Sequence, residues 1–248
     1  MENIKPLKSP ELAAIIEKYS PFLKEARKRI FFTLAVFAAA TIAGFTFYEK
    51  IIRFLIGALA LEGVNVVFTS PFQFINLAIS CGVATGLVVV LPLFTIQVLF
   101  FLKPALRQKE YKTVTRFLPF SLILFLIGFS FGAFVMKWQI QIFLARSISL
   151  GIGNVLDISR LLTTVLWTSA LMGIGFQFPI VLLLLMRFGI IKHHQLVRRR
   201  VWIYLGSFIF AILLPADSIL ADILLSLPLI IFFEVTLVLN RIFGRRKA

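Results

Sequence analysis

Acidic residues are scarce in this chain. Eleven Asp and Glu stand against 26 Lys and Arg in 248 residues, with two His and one Cys. Each shortage excludes something. The lone Cys81 cannot form an internal disulfide and supplies no thiolate cluster. His193 and His194 come without an HExxH or CxxC pattern, so no metal site and no cofactor is expected. No glycine-rich strand-to-helix loop is present to cradle nucleotide phosphates. No nucleophile–base pair lies within the apolar segments, which argues against an intramembrane enzyme. No polar stretch is long enough to fold by itself, which leaves no room for a water-soluble domain.

What is plentiful is apolar surface: 60% of the residues are hydrophobic and 28 are Phe. They come in runs long enough to cross the ~30 Å hydrocarbon layer as helices. The expected fold is an all-α integral membrane protein with six transmembrane helices in a single domain. The spans are expected at residues 30–48, 74–102, 117–136, 161–186, 201–214 and 219–239. A 1–20 tail precedes the 21–241 membrane domain, and 242–248 form a basic tail. Ser20-Pro21 suits a cap and first helical residue. The stretch 54–61 is too short to span and is expected in the interface. A loop over 137–159 is expected to turn at Gly151, Gly153 and Asn154. Pro92 and Pro179 predict kinks. The fifth span reaches only ~21 Å at the helical rise, so that end is expected to thin the bilayer or sit shallow. The first apolar run has no small-residue cleavage site after it, so no cleavable leader is expected.

The cations test this layout. With the N-terminus inside, 21 of the 26 Lys and Arg fall in inner segments and five (Lys50, Arg53, Lys137, Arg146, Arg160) in outer ones. That bias predicts both termini in the cytoplasm. The net charge of +15 therefore reads as membrane topology, and no nucleic acid is expected as a partner.

Against so many cations the few inner acids stand out. Glu25 sits among Lys24, Arg27, Lys28 and Arg29, just before the first span. As a local feature it pairs with Arg29 at i,i+4. As a functional one, Glu25 and Glu110 face a common groove and take a guanidinium bidentately. Within the spans the polar residues are Gln97 and Gln177; Gln177 either satisfies the carbonyl freed by Pro179 or bonds another helix. Glu234 lies near the inner headgroups, with Arg241 as a local partner.

The order of motifs resembles the TatC family, the six-span core of the twin-arginine translocase. Phe22-Leu23-Lys24-Glu25-Ala26-Arg27-Lys28-Arg29 resembles its HLxELRxR element, and Ser70-Pro71-Phe72-Gln73-Phe74 its SPxExF element. Pro92, Gln97, Phe101, Pro104, Leu106 and Glu110 follow its P-x4-Q…F-x2-P-x-L-x3-E run, and Phe176-Gln177-Phe178-Pro179 its FExP element. Gly128, Phe131, Arg200, Pro215, Asp217, Pro228 and Glu234 fit the rest. The resemblance implies a curved, glove-like wall of helices that receives twin-arginine signal peptides of folded cargo proteins. It also implies single-span TatA/TatB-type partners, a homo-oligomer within the complex, and transport driven by the protonmotive force. The membrane would be the bacterial inner membrane, or a thylakoid or mitochondrial one. Glu25, Glu110, Arg27, Phe101 and Gln97 would bind the signal peptide. Gln177, Asp217 and Glu234 would be the polar positions facing partner helices. The chain departs from the pattern at Phe22 (for His), Ala26 (for Leu), Gln73 (for Glu), Ser80 (for Lys) and Gln177 (for Glu). Leu59 lies where a Pro is usual, and Ala216 interrupts the TPPD turn. The rival reading, a small-solute secondary transporter, calls for internal repeats and midplane charges, neither of which is found.

Overall fold

The structure is a computed structural model that describes residues 10–59, 66–101, 108–151, 156–187, 189, 191–216 and 218–244. Side chains are described for these residues except 10–23, 95–96, 98–101, 108–118, 187 and 242–244. The helices in chain order are α1 (Pro10–Thr46), α2 (Tyr48–Leu59), α3 (Gln73–Phe101), α4 (Gln108–Ser149), α5 (Ile158–Gly175), α6 (Phe178–Arg187), α7 (His193–Arg198), α8 (Arg200–Ile212) and α9 (Ile219–Gly244). Two short strands, β1 (Val66–Val67) and β2 (Leu156–Asp157), pair in parallel with Val66 opposite Leu156 and Val67 opposite Asp157.

Five segments are long and apolar enough to cross a membrane: Lys24–Thr46, Gln73–Phe94, Pro119–Ser149, Ile158–Met186 and Ile219–Arg241. The remaining expected span, the fifth at 201–214, corresponds to α8, whose 13 residues reach ~20 Å at the helical rise. Large apolar side chains cover the outside: Phe31, Ile42, Phe120, Trp202 and Ile219 are all more than half exposed. Such a surface suits lipid, where the cost of wetting it disappears. Burial is uneven along the chain. In an 18-residue apolar window, 6% of Lys24–Thr46 is buried against 56% of Ile158–Met186. The α5–α6 segment is therefore the centre of the bundle and α1 a flank laid along α3.

The core gathers Leu77, Cys81, Met136, Leu162, Met172, Phe176 and Leu225, with a smaller cluster of Leu182, Met186, Leu196, Phe233 and Leu237. Glycines set how closely α4 and α5 approach. A Cβ at Gly128 would stand 2.6 Å from Phe176 Cγ, and one at Gly173 would stand 2.6 Å from Phe125 Cε2. Each helix thus offers a glycine notch to the other's phenylalanine. Phe176 also meets Phe232 edge-on, with ring centroids 4.9 Å apart.

Three expectations need correction. First, α1 begins at Pro10 and runs through Pro21 without a break, so Ser20-Pro21 starts no helix. Second, the 137–159 loop is mostly helix: α4 continues to Ser149, and Gly151, with φ of 67°, keeps its expected turn role, while Gly153 and Asn154 lie outside the described residues. Beyond residue 136 the helix is anchored by Lys137 Nζ, which donates to the Ala58 carbonyl at 2.8 Å, and Gln139 Nε2, which donates to that of Ala216 at 2.7 Å. Hydropathy locates the end of the apolar run, not the end of the helix. Third, the fourth span is two helices. Gln177 N–H bonds the Ile174 carbonyl at 2.9 Å in a tightened last turn, and the Gln177 carbonyl opens α6 by accepting from Ile180 and Val181. Pro179 has no N–H to continue the ladder to Gly175. By contrast, α3 runs unbroken through Pro92. Residues 54–59 of the short stretch expected in the interface form the second half of α2, an amphipathic helix that buries Leu55 and Leu59 and leaves Phe54 exposed.

Candidate functional site

Alternation of the long helices gives the bundle two ends. The proximal end holds the start of the α1 membrane segment, the end of α3 and the start of α4. The distal end holds α2, the start of α3 and the start of α5.

At the proximal end, Glu25 and Arg29 stand one turn apart on α1. Arg29 Nη2 and Nε both donate to Glu25 Oε1, at 2.5 and 3.2 Å. The remaining arm, Nη1, crosses to α3 and donates to the Gln97 backbone carbonyl at 2.8 Å. That carbonyl lies in the last turns of α3, where the helix dipole favours a cation. Thr33, a turn further along α1, puts its hydroxyl 2.8 Å from the Arg29 carbonyl and 2.7 Å from Gln97 Oε1, one proton serving two acceptors. The result is a clasp between α1 and α3 with a half-exposed carboxylate on its rim: the Glu25 side chain is 43% exposed and that of Arg29 26%. Arg27, two residues on from Glu25, points off another face and places its guanidinium 5.5 Å from the Phe31 ring centroid. Glu110 lies in the first turn of α4, at this same end, and Phe101 closes α3. The side chains of Glu110 and Phe101, and all of Asp217, lie outside the described residues.

A second acid–arginine pair lies between α8 and α9. Tyr204 donates its hydroxyl to Glu234 Oε1 at 2.5 Å, and Arg200 Nη2 stands 3.2 Å from Glu234 Oε2. The partner of Glu234 is thus Arg200 from across the helix pair. Arg241 is seven residues on along α9, roughly 10 Å at the helical rise. Gln177, only 7% exposed, spends its amide on α4: Nε2 donates to the Ser121 carbonyl at 3.0 Å, and Oε1 accepts from the Ser121 hydroxyl at 2.5 Å. It bonds a neighbouring helix and leaves the Gly175 carbonyl alone.

The distal end carries a cluster that reading the sequence did not find. Asp157 caps α5, its Oδ1 accepting from Arg160 N–H at 3.1 Å. Its Oδ2 accepts from Gln73 Nε2 at 2.7 Å and from the Thr69 hydroxyl at 2.8 Å. Thr69 N–H donates to Gln73 Oε1 at 2.8 Å, and the Ser159 hydroxyl to the Gln73 carbonyl at 3.1 Å. Partial desolvation of Asp157 pushes its carboxyl up, but the hydrogen bonds from Arg160, Thr69, Gln73 and Ser159 outweigh this and hold it below the ordinary 3.8. The sequence signal was available: an Asp just before an apolar run is a helix start. Among the described residues no three His, Cys, Asp or Glu gather as a metal site.

With this geometry in place, residues 21–228 match the family model for the Sec-independent protein translocase protein, TatC. The chain belongs to the TatC family. It is 29% identical over 229 residues to the Sec-independent protein translocase protein TatCd of Bacillus subtilis (strain 168), covering 91% of this chain and 92% of that protein. Against TatC of Aquifex aeolicus (strain VF5) it is 25% identical, covering 91% and 95%. A crystal structure of the twin arginine translocase receptor TatC superposes with a TM-score of 0.78 at 25% identity, over 88% of this chain and 98% of that one. This TatC-family chain is accordingly a multi-pass, all-α membrane protein and a component of the Tat protein translocase. It is a transport subunit and not an enzyme, and the small-solute transporter reading falls.

Proposed function

We propose that this protein is the signal-receptor subunit of a twin-arginine translocase in a bacterial inner membrane. In this reading six spans put both termini and the proximal end in the cytoplasm. Glu25 and Glu110, with Arg27, Gln97 and Phe101 around them, receive the paired arginines of a signal peptide. Single-span TatA/TatB-type partners assemble at the positions of Gln177, Asp217 and Glu234. Several copies join in the complex, and folded cargo crosses at the expense of the protonmotive force.

The observation that carries the reading is the state of Glu25. It is a half-exposed carboxylate on a cation-rich rim, and its present ligand is a guanidinium. Two arginines approaching such a rim are repelled unless carboxylates are held there to take them. Gln177 adds a condition for the partner: a polar contact there must exchange with the bond to Ser121.

The test is photocrosslinking of a twin-arginine precursor to membranes carrying Glu25→Ala or Glu110→Ala. Each variant is expected to insert normally and to lose the crosslink by at least tenfold, as suits a charge-assisted hydrogen bond of ~1.5–3 kcal/mol. If both variants export a folded twin-arginine reporter at the normal rate, the receptor reading is wrong.

A further inference from the structure

The Glu25 carboxylate is already occupied. Arg29 places two of its N–H groups on one oxygen, Oε1, while Oε2 takes no hydrogen bond among the described residues. An incoming guanidinium can land on Oε2, but two parallel bonds to the carboxylate require Oε1 as well. We propose that Arg29 is an internal occupant of this site, holding Glu25 in the free protein and yielding it to an arginine of the ligand. It is then a specificity-determining residue. The inference rests on the receptor reading above.

Three features make the exchange workable. Both side chains are partly open to solvent, where an ion pair is weak enough to break. Arg29 does not become an orphan on release, because its Nη1 arm keeps the Gln97 carbonyl and only the other two donors must turn to water. The Thr33–Gln97 contact holds α1 against α3 meanwhile.

The consequence is discrimination. An arginine replaces the two bonds that Arg29 makes to Oε1 with two parallel bonds, one to each carboxylate oxygen. A lysine offers a point charge that cannot make two fixed parallel bonds, so it displaces Arg29 at a loss. Specificity is a difference of affinities, and an internal competitor of the ligand's own chemistry enlarges that difference. It also neutralises Glu25 while the site waits, so stray cations find little to attract them.

The test uses the full chain in nanodiscs and labelled signal peptides carrying Arg-Arg, Lys-Lys or Gln-Gln, with affinities from fluorescence anisotropy. For Arg29→Gln, Arg-Arg binding is expected to tighten about fivefold, equivalent to ~1 kcal/mol. Lys-Lys binding is expected to tighten by more, so that the preference for arginine shrinks. The gain should vanish in Glu25→Gln/Arg29→Gln. Lys28→Gln removes the same charge from an exposed neighbouring position and should leave the preference unchanged. If Arg29→Gln does not accumulate, Arg29→Lys carries the test, since it keeps a cation for the Gln97 carbonyl but loses the fork. Weaker Arg-Arg binding in these variants, beside a wild type that still discriminates, makes Arg29 a strut and overturns the proposal. An equal gain for both peptides, matched by Lys28→Gln, reduces it to bulk charge and also overturns it. The receptor reading fails separately, and takes the proposal with it, if the wild type does not prefer Arg-Arg over Gln-Gln and Glu25→Gln changes nothing.

Discussion

The two ends of the bundle hold their acids in different ways. Glu25 at the proximal end and Glu234 between α8 and α9 each lean on an arginine, and both pairs are partly open to water. At the distal end Asp157 is held by an amide, a hydroxyl and backbone N–H groups from two stretches of chain, 69–73 and 159–160. The difference bears on use. A carboxylate held by a guanidinium has a ligand that another guanidinium can replace. A carboxylate held by fixed neutral donors belonging to the starts of α3 and α5 and the turn before α3 has no replacement at hand, because each donor is tied to the backbone geometry it completes. On the reading proposed above the proximal pair is suited to exchange, whereas the distal cluster closes the bundle by joining the start of α3 to the start of α5.

The sharpest way to break this contrast is Asp157→Ala. It removes the α5 cap, leaves the Thr69 hydroxyl without its acceptor and leaves Gln73 Nε2 with the Thr69 oxygen alone. A loss of about 2 kcal/mol is expected, read as a lower midpoint of thermal unfolding in detergent, with twin-arginine peptide affinity unchanged. A variant of normal stability and poor peptide binding would put recognition chemistry at the distal end and erase the distinction. A smaller effect is expected from Gln73→Glu, the residue the family pattern carries there. It would set a second carboxylate against Asp157 where the amide now donates at 2.7 Å. A loss of about 1 kcal/mol is expected at pH 7, restored by adding Asp157→Asn. Failure of that rescue would mean that the Gln73 amide matters for something other than Asp157.

The smallest effect is in pH. The Asp157 carboxyl is held below 3.8, so its folded form binds a proton less readily than its unfolded form. Its contribution to stability is therefore complete above about pH 4 and falls away as pH drops through the lower folded value. Wild type and Asp157→Asn, unfolded thermally from pH 7 downward, should keep a constant difference to about pH 4 and converge below it. A difference that narrows between pH 7 and 5 would point to another group.

Much of this molecule was legible as a pattern along the chain. Apolar run length gave the membrane class, since the bilayer's thickness is a physical ruler. Four of the long spans were placed close to their observed positions. The Glu25–Arg29 pair followed from helical spacing alone. What escaped was whatever depends on a second strand of chain. The extension of α4 to Ser149 is fastened by Ala58 and Ala216, residues that share no sequence neighbourhood with it. The break at Phe176–Gln177 was expected only as a kink.

The amino-acid sequence by itself determined that this is a helical membrane protein of the TatC family. Hydropathy, charge bias and motif order are all properties of position along a chain. Only the tertiary structure decided which donors each polar group meets. It turned Gln177 toward Ser121, gave Glu234 to Arg200, and brought Gln73 to Asp157. It also laid Gln97 beside Arg29, 68 positions away. A scarce polar side chain in an apolar bundle must find a partner. Local spacing settles that partner only when it lies within a turn or so on the same helix; otherwise packing does.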